Sequence, residues 1–150
     1  MGCASLERHA EPALPEVKLS ETPTPVQAAI VSAAAGAHIQ AIRPGQQLAD
    51  TVYRTYIAAP EGPRIVAVNA EGKIVEDARV IPFSEMPPAV QQAARTACSG
   101  VMQLCRKSTT HTPPVYLVDY LIAGDEPSYA IIEKNGFIRA VIGYLPEDPD

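Results

Sequence analysis

Pro87-Pro88-Ala89-Val90-Gln91-Gln92-Ala93-Ala94-Arg95-Thr96-Ala97-Cys98-Ser99-Gly100 decides how the chain is read, because Pro25-Val26-Gln27-Ala28-Ala29-Ile30-Val31-Ser32-Ala33-Ala34-Ala35-Gly36 says nearly the same thing earlier. Val26 and Val90, Gln27 and Gln91, Ala29 and Ala93, Ala33 and Ala97, and Gly36 and Gly100 all stand 64 residues apart. A fixed offset of this kind is the mark of an internal repeat. Each copy has helical signals. Proline fits the first turn, where no amide hydrogen is needed, and Thr24 is placed to cap the first copy. Small apolar residues then recur at helical spacing: Val26, Ala29, Ile30, Ala33 and Ala37 in one copy, Val90, Ala93, Ala94, Ala97 and Val101 in the other. A glycine follows each, suited to a left-handed stop.

Working outward, strand-like segments follow each helix. After the first come Ala37 to Arg43, Val52 to Ala58, Arg64 to Asn69 and Lys73 to Val80, with Arg43 to Asp50, which holds Pro44 and Gly45, read as a loop. Ala70-Glu71-Gly72 is a hairpin turn needing positive φ at the glycine. After the second come Val115 to Ala123, Ser128 to Glu133 and Phe137 to Tyr144, with Lys134-Asn135-Gly136 as the turn. Cys105 falls on a further strand once Gly100 has ended the helix. Gly136 and Pro127 stand 64 after Gly72 and Pro63, and Tyr120 stands 64 after Tyr56, but Tyr116 stands 63 after Tyr53. A one-residue slip therefore sits in or beside that strand.

These signals predict an α+β fold of two similar repeats, each one helix packed on an antiparallel meander sheet of about three to four strands. Residues 24–82 and 83–145 are the repeats. Residues 1–23, with Pro12, Pro15 and Pro23 among four glutamates, read as a flexible tether, and residues 146–150 as a frayed tail.

The totals exclude several function classes. In 150 residues, 47% are hydrophobic, enough for a core, and 12 basic against 17 acidic residues leave a net charge of −5. A phosphate backbone needs a basic footprint, so nucleic acid is not an expected partner. No apolar run reaches the roughly 18 residues of a membrane span, and the sequence itself contains no intact signal peptide. Gly2-Cys3-Ala4-Ser5 resembles the end of a bacterial lipobox, which makes Cys3 a lipidation candidate and the only expected route to a membrane. Myristoylation of Gly2 is less well matched, because Leu6 stands where Ser or Thr is wanted.

A second set of residues resembles a known family. Val66-Ala67-Val68-Asn69-Ala70-Glu71-Gly72-Lys73-Ile74-Val75-Glu76, followed by Ile81-Pro82-Phe83-Ser84-Glu85-Met86-Pro87-Pro88-Ala89-Val90, resembles the repeat joint of PepSY-like domains. There an "Asp-x-x-Gly-Lys" turn leads into "Leu-Pro-x-x-Val" and an alanine-rich helix; here Asn69 replaces the Asp and Met86 the Leu. The resemblance implies a tandem unit similar to the beta-lactamase inhibitor protein fold. It also implies export and a role in protein binding or inhibition, and it brings no catalytic residues.

Chemistry is sparse. Cys98 and Cys105 form a candidate disulfide if the compartment is oxidising; otherwise they are buried thiols. Cys98, Cys105 and His111, with Asp119, match no common zinc spacing, so neither metal nor cofactor is expected. A cysteine nucleophile with His111 as base and Asp119 as orienter has no local motif behind it. His38 follows a helix end and suits its partial charge, and His9 lies in the tether. What remains is surface: six tyrosines, two phenylalanines and no tryptophan suit a binding face. Alternation puts Val118, Tyr120 and Ile122 on one side of their strand and Leu117, Asp119 and Leu121 on the other.

The expected function is a non-enzymatic exported binding module holding an unknown protein or peptide through its sheet face, in the manner of an inhibitor. The residues marked for partner contact are Tyr53, Tyr116, Asp119, Tyr129 and Arg139. The expected location is the periplasm or cell envelope. Two alternatives stand beside it, a hydrolase or redox protein using Cys98, Cys105 and His111, and a structural envelope lipoprotein.

Overall fold

The computed structural model describes residues 16–47, 50–98, 100–122 and 126–143. Among them are two α-helices, α1 (Thr24–Ala34) and α2 (Pro88–Ala97). Eight strands run β1 (His38–Gln47), β2 (Asp50–Ala59), β3 (Gly62–Asn69), β4 (Ile74–Ile81), β5 (Val101–Ser108), β6 (Tyr116–Ile122), β7 (Glu126–Ile132) and β8 (Ile138–Gly143). All eight join in chain order into one antiparallel sheet. The expectation of two repeats, each a helix on its own sheet, is thereby corrected. The decisive join is β4 to β5, where Ala78 faces Ser108 and Ile81 faces Cys105. An unpaired strand edge exposes a row of backbone donors and acceptors, and merging the two edges satisfies both.

Local devices nevertheless recur along the chain. A short 3₁₀ turn precedes each helix, Leu19–Glu21 and Phe83–Glu85. Gln27 Nε2 donates back to Thr22 O at 3.0 Å, and Gln91 Nε2 to Met86 O at 2.8 Å, so the repeated glutamine ties each helix to the turn before it. Gly72 and Gly136, with φ of 89° and 94°, let each hairpin turn approach a helix start, Pro25 and Ala89 respectively.

Several boundaries differ from expectation. Pro23, not Thr24, takes the N-cap position, and no side chain caps α1. Ala35 itself adopts the left-handed stop, with φ of 49°, ahead of Gly36. The segment read as a loop from Arg43 is strand as far as Gln47, because Pro44 and Gly45 pair with Tyr53 and Val52 in an edge strand, where proline is tolerated. Val101 leaves the α2 stripe for the exposed start of β5. Part of the segment read as a tether is seated on the sheet: Val17 N–H donates to Ile42 O at 2.9 Å, while Val17 and Leu19 pack on the core beneath α1. Residues 1–15, with Cys3, and the tail 146–150 lie outside the described residues.

The helices cover one face. Val26 and Ile30 of α1 meet Ile42, Ile57, Val66 and Val68, and Val90 and Ala94 of α2 meet Val118, Tyr120, Ala130 and Ile132. The sheet grips a carbonyl near the end of each helix. Arg64 Nη1 donates to Ala33 O at 2.9 Å while its fork holds Asp77, and the Tyr120 hydroxyl donates to Ala94 O at 2.5 Å. Such donors satisfy carbonyls that have no partner within the helix and suit the negative end of its dipole.

Candidate functional site

The other face carries neither helix, yet much of it is buried. Leu117, Ala78, Val115 and Tyr129 form a cluster there, flanked by Ile131 and Ile142. Curvature explains the burial. Arg54 on β2 and Asp119 on β6 approach to 4.0 Å. In a flat sheet four strand spacings would hold their backbones roughly 19 Å apart, more than the two side chains and the 4.0 Å gap between them can span. The sheet therefore curls toward the helix-free face and makes it concave. Register shifts at Ile39/Ala41, Ala67/Val68, Met102/Leu104 and Ile131/Ile132 supply bend and twist.

At the centre of the concavity lies an ionic clasp. Arg106 Nε and Nη2 each donate to a different Asp119 carboxylate oxygen at 2.8 Å, a bidentate pair. The Arg106 side chain is only 3% exposed and that of Asp119 14%. Arg106 also sits 5.6 Å from the centre of the Tyr129 ring, and Tyr129 faces Asp119 directly across the β6–β7 pair. On the other side of the clasp, Arg43 and Arg54 are cross-strand partners, and both approach the Tyr56 ring, at 5.5 and 5.8 Å. Alanines make room: Ala67 faces Arg54, and Ala41 faces Tyr56.

A second polar group borders this face. The Ser108 and Thr110 hydroxyls both donate to Glu76 Oε2, and His111 Nδ1 lies 3.2 Å from Ser108 Oγ. The Ser108 and Thr110 hydroxyls also lie 2.9 Å apart, so Glu76, Ser108, Thr110 and His111 form one hydrogen-bonded group. His111 thus acts as a tie within the β5–β6 connection, which is further held by Thr109 N–H donating to Asp77 O.

The residues marked from sequence separate into groups. Asp119 and Tyr129 meet on the concave face. Tyr53 and Tyr116 pack on the helix-covered side, against the α1 and α2 cores respectively. Arg139 on β8 pairs with Glu133 at 3.0 Å. The 64-residue match of Tyr56 with Tyr120 joins residues on opposite faces, whereas Tyr53 and Tyr116, 63 apart, share the helix-covered face. Cys98 and Cys105 are free thiols, and both adjoin the α2 core. Cys98 Sγ lies 3.8 Å from Ser128 Oγ. Cys105 faces α2, while Asp119 and the Ser108 that binds His111 lie on the concave side, so cysteine, histidine and aspartate are not brought together. Among the described residues no group of three His, Cys, Asp or Glu is placed to hold a metal.

Burial, reinforced by the nearby Asp119 charge, pushes the Cys105 thiol from its ordinary 9.0 up to about 11. A nucleophile needs the opposite shift. Because the folded value is the higher one, the stability that Cys105 contributes is complete below pH 9.0 and declines as pH rises toward 11. Burial shifts Tyr120 in the same direction. A loss of roughly 1 kcal/mol by pH 10 is expected from the thiol alone, checked by comparing urea midpoints of wild type and Cys105→Ala across that range. A native-state thiol reagent should label Cys98 well before Cys105.

Arg43, Arg54 and Arg106 were the residues that sequence reading missed. Their signal was Asp119, a carboxylate inside the apolar run from Val115 to Ile122, which requires a buried cationic partner.

No family model matches the sequence, and neither does any curated protein. The PepSY-like resemblance accordingly stands on its turn and helix-start residues alone. Solved structures do match. A protein described as periplasmic from Bacteroides eggerthii is 16% identical with a TM-score of 0.52, over 81% of this chain and 88% of that one. A DUF2874 family protein from Bacteroides uniformis is 16% identical with a TM-score of 0.50, over 81% and 89%. At this identity the likeness shows the fold: the chain shares the architecture of these two bacterial proteins.

Proposed function

We propose that this chain is a non-enzymatic exported module that binds a protein or peptide on its concave sheet face. One observation carries the reading: the curled, helix-free face places tyrosines and arginines around the Arg106–Asp119 clasp, instead of the uniformly solvated polar surface usual for the second side of an antiparallel sheet. Tyrosine and arginine are among the side chains enriched where proteins meet. The periplasmic description of one structural neighbour supports export. The PepSY-like joint supports a binding or inhibitory role, and the lipobox-like start supports attachment to the envelope through Cys3. Inhibition would work by occlusion, the partner's surface being covered by the face.

A photo-reactive phenylalanine analogue at Tyr56 tests the reading against the same residue at Val31, an exposed position on α1. In cells exporting the protein, position 56 should cross-link to one discrete partner and position 31 should not. Equal adducts from both positions, or none from 56, would remove the concave face from consideration.

A further inference from the structure

We infer that the helix-bearing face holds a second site, for a dianionic oxyanion of the phosphate type, where Arg79, Lys107 and Tyr116 stand side by side on β4, β5 and β6. The inference is independent of the concave face, which is the other side of the sheet. Arg79 faces Lys107, and Lys107 faces Tyr116, each as a direct cross-strand partner. Ile81 and Cys105, two residues along from Arg79 and Lys107, share the α2 core with Tyr116, so alternation puts all three side chains on the helix-bearing side. There α1 packs chiefly on β2 and β3 and α2 on β7 and β8, and the row crosses the strands between them.

Like charges directly opposite one another destabilise a strand pair, and Arg64 on β3 adds a third cation to the row as the partner of Arg79. Arg64 is neutralised where it stands: its fork holds both oxygens of Asp77, and Nη1 holds Ala33 O. Arg79 and Lys107 are partly buried, yet among the described residues their side chains have neither hydrogen bond nor ion pair. The Tyr116 hydroxyl likewise has no hydrogen bond there, although the residue is only 7% exposed. Three adjoining donors thus await one acceptor. Two unbalanced cations roughly 5 Å apart are matched by a single group with two charges and several acceptor oxygens. A phosphate group carries about −1.5 to −2 near neutral pH, more than one carboxylate supplies. Arginine meets it with a planar fork, lysine with a compact charge and tyrosine with an O–H. Arg79 and Tyr116 flank Lys107 at two strand spacings, roughly 10 Å, a span that two long side chains can close over it.

The test titrates the full chain with inorganic phosphate, with acetate at matched ionic strength, and with phosphatidylcholine vesicles with or without phosphatidic acid. Side-chain NMR and thermal unfolding read the response. Millimolar phosphate should shift the Arg79 and Lys107 signals and raise the Tm, as any ligand of the folded state does; acetate should do neither. Arg79→Gln and Lys107→Gln should each weaken phosphate binding about tenfold, the scale of one lost charge-assisted bond. Tyr116→Phe, which keeps the ring in the core, should weaken it about threefold, the scale of one neutral hydrogen bond. Without phosphate, neither glutamine variant should be less stable than wild type, since each removes a like-charged neighbour. A response to inorganic phosphate alone would make the source a soluble phosphate. A response to phosphatidic acid vesicles, absent with phosphatidylcholine alone and lost in Arg79→Gln, would make it a lipid headgroup. Acetate acting as strongly as phosphate, responses unchanged in both glutamine variants, or no response to phosphate in either form would overturn the proposal.

Discussion

Asp119→Ala is expected to lower stability by about 3–5 kcal/mol, a large part of the 5–15 kcal/mol that holds a domain together. The loss comes less from the bond removed than from what is left behind. Arg106, with 3% of its side chain exposed, would keep a full charge with neither carboxylate nor bulk water to balance it. The guanidinium cannot escape by losing its proton. A double variant, Arg106→Met with Asp119→Leu, should regain most of the loss, because two apolar groups of similar size need no compensation. Urea unfolding of the three chains checks both statements. A loss below about 1 kcal/mol for Asp119→Ala, the value of an exposed pair, would mean that water reaches the clasp and the sheet does not close over it. The Arg64–Asp77 pair is the internal comparison: its side chains are 26% and 20% exposed, so Asp77→Ala should cost less.

Gly72→Ala should cost about 3 kcal/mol, combining a left-handed backbone with overpacking. With φ at 89°, an added Cβ would lie 2.6 Å from Pro25 O and 2.9 Å from the Pro25 carbonyl carbon. The added carbon meets the Pro25 backbone, so no rotamer change relieves it. Gly136→Ala should behave alike, its Cβ falling 2.8 Å from Ala89 O. Gly62→Ala separates the two causes. Its φ of 129° is also one that side chains avoid, but nothing lies within 4 Å of the added carbon, so only the backbone cost remains. Thermal or urea unfolding should rank Gly62→Ala as the mildest of the three. If Gly72→Ala proved no worse, the hairpin would not bear on the helix start.

How much could be read beforehand depends on the range of the interaction. The helices were legible because their evidence is local: proline at the start and apolar residues every three or four positions, with a left-handed stop for α1 at Ala35, whereas α2 ends in extended backbone at Cys98. The two glycine turns were legible for the same reason. Local signals end β1 at Arg43, because Pro44 and Gly45 carry strong local penalties that an edge strand escapes, and those signals do not reveal the Arg43–Arg54 pair. The match of Tyr56 with Tyr120 misled because a strand alternates its faces every residue, so a slip of one sends a side chain to the other side.

The sequence by itself determined the two helices, their 64-residue spacing, the hairpins and the alternation that sorts Val118 and Tyr120 from Leu117 and Asp119. Those features depend on propensity and periodicity within a dozen residues. Only the tertiary structure decided that β4 pairs with β5 and makes one sheet of eight strands, and that the sheet curls until Arg54 meets Asp119. Edge pairing and sheet curvature are sums over strands remote in the chain, and no local pattern records the sum. The candidate site belongs to that second class, since its arginines, aspartate and tyrosines come together only when β2 and β6 close on each other.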